Sequence, residues 1–206
     1  MDTLLLFAQS LLIGLSIAAP VGPIGLLTIQ RSLNFGSRAG LATGLGAAFA
    51  DAVYGAVGAF GVAWLIDTLN AVRLPLAIFG GAYLLWMALG LLRAAPVNVT
   101  AANTGAAAGY WRYFGGTFLL TLANPSTIFS FIAIFGAMAG ANRVVSPWTM
   151  VLGVLIGSAI WWFLLSGLVG LSRERFDARW RRRVSLVSAT ILVGFAVWQL
   201  VLALGA

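Results

Sequence analysis

One carboxylate stands apart from the others in this chain. Asp51 lies deep inside a long apolar stretch, whereas Asp2, Asp67, Glu174 and Asp177 fall at the terminus or between such stretches. An intramembrane carboxylate costs about 2.5–3.5 kcal/mol on insertion scales and marks an ion or substrate pathway by default. It can hold a cation or trade a proton. The alternative is a protonated Asp that only hydrogen-bonds a neighbouring helix. Gly44, Ala47, Asp51, Gly55 and Gly58 recur at spacings of three and four and so share one helical face. Small residues let another backbone come close, which directs the carboxylate into the bundle.

The second chemical feature is a pair of broken segments. Ile17–Leu27 reads IAAPVGPIGLL, with Pro20, Gly22 and Pro23 inside an apolar run. Proline in a helix interior costs about 3 kcal/mol, so it is kept for a reason. The break frees backbone carbonyls that suit an ammonium group and starts a helix whose N-terminus suits a carboxylate. A kink satisfied by neighbouring helices is the plain alternative. Asn124-Pro125 forms a second break, with the hydroxyls of Thr121, Ser126 and Thr127 nearby. Hydroxyls in membrane helices commonly bond back to their own turn. Tyr54 and Trp161 either line the path or pack in the core.

The elements that must position these groups are membrane helices. Of 206 residues, 61% are hydrophobic and 8% charged, with mean hydropathy +1.01. A soluble domain carries about 25% charged residues, so this chain cannot cover itself with polar side chains. It contains no Cys and no His, which removes disulfides, thiolate chemistry and the commonest metal ligand. No P-loop, zinc-protease or Ser/His pattern is present, and no cofactor is expected.

Six apolar segments are expected to span: Leu4–Ile29, Ala39–Ile66, Leu74–Leu92, Tyr113–Gly140, Trp148–Leu171 and Val184–Leu204. The N-terminal run lacks a basic flank and is too long for a signal-peptide core, so it reads as the first span. All twelve basic residues are Arg. Ten fall in loops one, three and five, counting Arg31 and Arg38 in loop one, and only Arg73 and Arg143 fall in loops two and four. The positive-inside rule then puts the odd loops in the cytoplasm and both termini outside. This placement accounts for the net charge of +7 without nucleic acid. The Arg179–Arg183 cluster reads as a topological anchor that meets membrane lipids, with an anionic-lipid site as the sharper alternative.

A connector over 94–112 divides the single transporter domain, 1–206, into halves 1–93 and 113–206. With three spans each, related halves must be inverted in the membrane. Gly46–Tyr54 aligns without gaps to Gly153–Trp161, pairing Asp51 with Ser158. The expected fold is therefore an all-α integral membrane protein of two inverted three-helix repeats, each with a broken first helix. Gly136-x-x-x-Gly140 and Gly153-x-x-x-Gly157 fit close helix contacts, a homodimer face included.

APVGPIGLLTIQRSLNFGSRAGLATGLGAAFADAVYG followed by LLTLANPSTIFSF resembles the LysE/RhtB-type bacterial amino-acid exporters. The resemblance covers essentially the whole chain, although many relatives look more like Pro-Gly-Pro where this chain has Pro20-Val-Gly-Pro23. It implies an inner-membrane secondary transporter exporting amino acids or close derivatives, driven by the proton gradient, and not an enzyme. The residues expected to carry substrate and coupling are Asp51, Pro20, Gly22, Pro23, Tyr54, Asn124, Pro125 and Ser158. Architecturally similar relatives export divalent cations, which is the alternative. A membrane-embedded enzyme is a weaker one, since one Asp and a few hydroxyls are thin catalytic material.

Overall fold

The computed structural model describes residues 3–20, 22–60, 73–93, 106–124, 127–128, 130–131, 146–172 and 178–204. Pro125, Ser126, Asp67, Arg143, Gly136 and Gly140 lie outside them. Seven helices are described: α1 Thr3–Ala18, α2 Pro23–Phe35, α3 Ser37–Ala59, α4 Arg73–Arg93, α5 Ala106–Leu122, α6 Pro147–Ser172 and α7 Ala178–Leu204.

The first apolar segment is broken where the prolines stand. α1 and α2 meet at an angle of 77°. Pro20 has no N–H to continue α1, and Pro23 at the first position of α2 needs none. Between them the Gly22 N–H donates to the Pro20 carbonyl at 2.9 Å. α2 then runs on to Phe35, so the expected first loop shrinks to Gly36 alone. Gly36 has φ 90°, a region L side chains avoid, and its N–H closes α2 on the Ser32 carbonyl at 3.0 Å. Arg31 and Arg38 are thus helical residues. The connector read over 94–112 is also shorter than expected, because α5 begins at Ala106. An alanine run is the best helix former and extends the helix beyond the apolar span.

α6 shows what kind of solvent the fold meets. Gly153, Gly157, Ser158, Ser166 and Gly170 are buried on one face with Met150, Val154 and Trp162, while Leu152, Ile156, Phe163, Leu164, Leu168 and Leu171 are exposed on the other. Glycine and serine concentrated inside, with large apolar side chains left outside, is the arrangement of a helix facing lipid. α3 and α6 are each long and apolar enough to cross a membrane, and α1 with α2 qualifies as one bent span.

Packing is organised around α3 and α6, which lie against each other. α1 packs on α6 and α5 packs on α3; α4 pairs with α7, and α2 crosses α3, α6 and α7. Glycines set the approach distances. A Cβ on Gly46 would strike the Phe114 carbonyl and lie 3.1 Å from the Phe118 nitrogen; one on Gly153 would lie 3.0 Å from the Phe7 carbonyl and 3.1 Å from the Leu11 nitrogen. Gly157 likewise abuts the Leu11 carbonyl. The Gly153-x-x-x-Gly157 pair is therefore occupied by α1 of the same chain and is not open to a second copy.

Adding a methyl at these contacts should overpack the seam at about 1–3 kcal/mol. Gly46→Ala and Gly153→Ala are expected to lower the thermal midpoint in detergent. Gly115→Ala, where a Cβ meets nothing within 4 Å, should leave it unchanged or raise it by reducing backbone freedom.

Candidate functional site

Asp51 sits in the middle of α3, on the Gly/Ala face that packs against α6. Gly44 lies under the Trp162 side chain and Gly55 against Val154, so the carboxylate enters the helix–helix seam, as the spacing of small residues predicts. It is 3% exposed. Ser158 Oγ donates to Asp51 Oδ2 at 2.7 Å, and Trp162 Nε1 donates to Ser158 Oγ at 3.1 Å. Ser158 and Trp162 are one turn apart on α6 and act on the carboxylate in series. The hydroxyl fixes one oxygen, and the indole fixes the hydroxyl.

Beside Asp51 lies a cavity of about 320 Å³. Pro20, Gly22, Pro23, Ile24 and Gly25 form one wall, Thr121, Asn124, Thr127 and Ser130 another, and Ala47, Trp162 and Phe195 complete it. Both breaks therefore open on the same space. The first-turn amides of α2 have no acceptors within their own helix, so the wall at Pro23–Gly25 is electropositive. The facing side supplies one carboxylate, one amide and three hydroxyls. Thr121 Oγ1 donates back to the Thr117 carbonyl at 2.9 Å, as expected of a hydroxyl in a membrane helix. The volume lies at the lower end of the range for small-molecule sites, about 300–1,000 Å³.

The expected residues thus divide. Pro20, Gly22, Pro23, Asp51 and Asn124 line the cavity, and Ser158 reaches it through Asp51. Pro125 lies outside the described residues. Tyr54 is not at the wall: its hydroxyl donates to the Leu122 carbonyl at 2.7 Å and its ring stacks on Phe131 at 5.2 Å. It satisfies a carbonyl of the last turn of α5, just before the second break. Trp161 is likewise replaced at the wall by Trp162. The signal for Trp162 was its four-residue spacing from Ser158, which puts both on one face.

Arg31 is a further polar residue that counting loop charges misplaces. It is 7% exposed inside the bundle. Its Nη1 donates to Thr43 Oγ1 at 2.9 Å, Thr117 Oγ1 at 3.2 Å and the Tyr113 carbonyl at 3.5 Å. The guanidinium carbon lies 4.4 Å from the Tyr113 ring centre. The correction has a simple cause: α2 outlasts the apolar run, so its last two turns carry polar side chains into protein rather than into water.

The described residues are helical and enclose a polar cavity among helices of membrane-spanning character. The chain belongs to the LysE type translocator family, whose model matches residues 15–203, and is a transporter rather than an enzyme. It is 33% identical to the uncharacterized membrane protein YahN of Escherichia coli, over 83% of this chain and 78% of that one. It is 30% identical to the chemotactic transduction protein ChpE of Pseudomonas aeruginosa, over 94% and 96%. It is 26% identical to the lysine exporter LysE of Corynebacterium efficiens, over 93% and 96%. No solved structure matches the chain significantly.

Two hydroxyl deletions separate support from site. Tyr54→Phe strands the Leu122 carbonyl, and Ser158→Ala strands the Trp162 N–H, each at about 1–3 kcal/mol. Both should lower the thermal midpoint in detergent. Only Ser158→Ala should also alter the pH dependence of transport, since it alone touches Asp51.

Proposed function

We propose that this protein is an inner-membrane, proton-coupled exporter of amino acids or close derivatives, working by alternating access between two inverted halves. The observation that carries the reading is the meeting of one intramembrane carboxylate and both helix breaks in a single cavity. An amino acid presents an ammonium and a carboxylate a few ångströms apart. Asp51 complements the first and the N-terminus of α2 the second. The lysine exporter among the relatives transports a substrate of this kind.

Matched contacts support the inverted repeat. The aligned pair Asp51 and Ser158 is 107 positions apart and hydrogen-bonded to each other. Gly46 and Gly153 have that same separation. So do their contact partners, Phe114 with Phe7 and Phe118 with Leu11, although α1 and α5 took no part in the alignment. One two-fold axis between α3 and α6 accounts for all of these pairs. The same axis exchanges the α1–α6 contact with the α3–α5 contact and returns α4–α7 to itself.

In this reading the arginine-rich ends are cytoplasmic and both termini external. Substrate enters from the cytoplasm when the halves rock apart on that side, and its ammonium displaces the proton on Asp51. After release outside, Asp51 takes a proton from the external side and the empty carrier returns neutral. The coupling is needed energetically. For a cationic amino acid, moving one positive charge outward against the membrane potential costs about 2.3 kcal/mol per 100 mV.

Proteoliposomes loaded in turn with labelled lysine, arginine, threonine and leucine test the proposal. Efflux of one class, accelerated by an imposed pH gradient and abolished by Asp51→Asn, is the expected result. Efflux in Asp51→Asn with unchanged rate and pH dependence would overturn the role of the carboxylate. Metal-stimulated efflux with no amino-acid movement would move the substrate class to cations.

A further inference from the structure

We infer that the cargo is a zwitterionic amino acid whose side chain is uncharged and apolar, and that Phe195 and Trp162 select it. The inference rests on the exporter reading and narrows its substrate class from the charges that reach the cavity. Asp51 is the one acidic residue among the described residues. The other four acids fall before α1, between α3 and α4, or between α6 and α7. Residues 125–145, which follow Asn124 in the chain, contain no acid. No Arg stands among the described residues of the wall. The wall thus offers one carboxylate and, opposite in sign, the electropositive first turn of α2. These match the ammonium and the carboxylate common to all amino acids, and no charge is left over for a side chain.

A cationic side chain would meet the rest of the lining. Ala18, Ile24, Ala47, Trp162 and Phe195 line the cavity and belong to one continuous apolar cluster. Dehydrating an ammonium that has no anionic partner carries a penalty well above what an aromatic face returns. Thr121 and Thr127 add hydroxyl oxygens, which hydrogen-bond a cation without neutralising it. Backbone carbonyls at the end of α1 bring partial charge only. Those of Leu15 and Pro20 already accept from the Ala19 and Gly22 N–H groups, at 3.0 and 2.9 Å. For an apolar side chain the sign reverses, because leaving water for this cluster is itself favourable.

The two aromatic residues differ in what else they hold. The Trp162 N–H is committed to Ser158 Oγ at 3.1 Å, so only its ring is left for a cargo, and replacing it would disturb Asp51 as well. Phe195 is the one side chain that α7 gives to the wall. Its ring meets Trp198 edge-on at 6.1 Å on its own helix. α7 packs on α4 and α2 rather than in the α3–α6 seam. Phe195 can therefore be changed without touching the hydrogen bonds of Asp51, which makes it the position where selection is read separately from binding of the amino-acid head.

Norleucine and lysine share one carbon skeleton and differ by the terminal ammonium, so the pair isolates side-chain charge while the head group stays constant. From proteoliposomes loaded with both at equal concentration under distinct labels, norleucine is expected to leave at least several-fold faster. Lysine leaving as fast as norleucine, or faster, would overturn the inference and leave the exporter reading standing. Movement of neither would fail that reading and the inference with it. Phe195→Glu places a second carboxylate at the wall and should bring the norleucine-to-lysine ratio close to one or below it. Phe195→Leu, which keeps the wall apolar, should leave the ratio in favour of norleucine. Thr127→Asp supplies the carboxylate from the other wall and makes the same test where Phe195→Glu does not fold. A ratio unchanged in the folded acidic variant would overturn the assignment of selection to this lining.

Discussion

A bilayer has no water to satisfy a loose backbone, so a broken helix survives in it only where protein or a wet cavity takes over the freed groups. The break between α1 and α2 imposes that condition on everything around it. The wall formed by Ala18, Pro20 and Gly22–Gly25 has to be enclosed, and α3, α6, α7 and the segment after α5 enclose it. The same demand explains Tyr54. Its hydroxyl is aimed away from the cavity, at the Leu122 carbonyl left over where α5 ends.

Enclosure at such close range requires small residues. Lipid is as apolar as leucine, so burying large aliphatics between helices gains little, and close van der Waals packing with interhelical hydrogen bonds must hold the bundle. The chain accordingly turns glycine and serine inward, beside Met150, Val154 and Trp162, and leucine, isoleucine and phenylalanine outward along α6. A seam this tight has room for a carboxylate only if a partner meets it, and Ser158 does so with Trp162 behind it. Packing and polarity are then one problem, since the residues that let α3 and α6 touch also carry Asp51 into the cavity. The interior is also tightly packed where the glycines meet backbone.

Much of this was legible in the residues. The break at Pro20–Pro23 follows from the lost N–H, and the inward face of Asp51 follows from small residues at helical spacing. The pairing of Asp51 with Ser158 emerged from a gapless alignment of two apolar stretches, a weak signal that the contacts between α1, α3, α5 and α6 reinforce. What remained hidden depends on where helices stop relative to where apolar runs stop. α2 and α5 each extend past their apolar runs, one at its end and the other at its start, and hydropathy does not register those turns. Arg31 was therefore counted as a loop charge, although α3 and α5 bury it. The choice of Trp162 over Trp161 turned on one position of helical phase. A class-by-class match to Tyr54 pointed to the wrong member of that pair, whereas the spacing from Ser158 pointed to the right one.

The central claim is that Asp51 is shared between proton and cargo. The most direct measurement is the uptake or release of protons when an amino acid binds the purified protein in weakly buffered detergent, titrated across pH. The account predicts release of a proton on binding over part of that range, abolished in Asp51→Asn. Binding with no proton release at any pH, or the same release from the Asn variant, would contradict it.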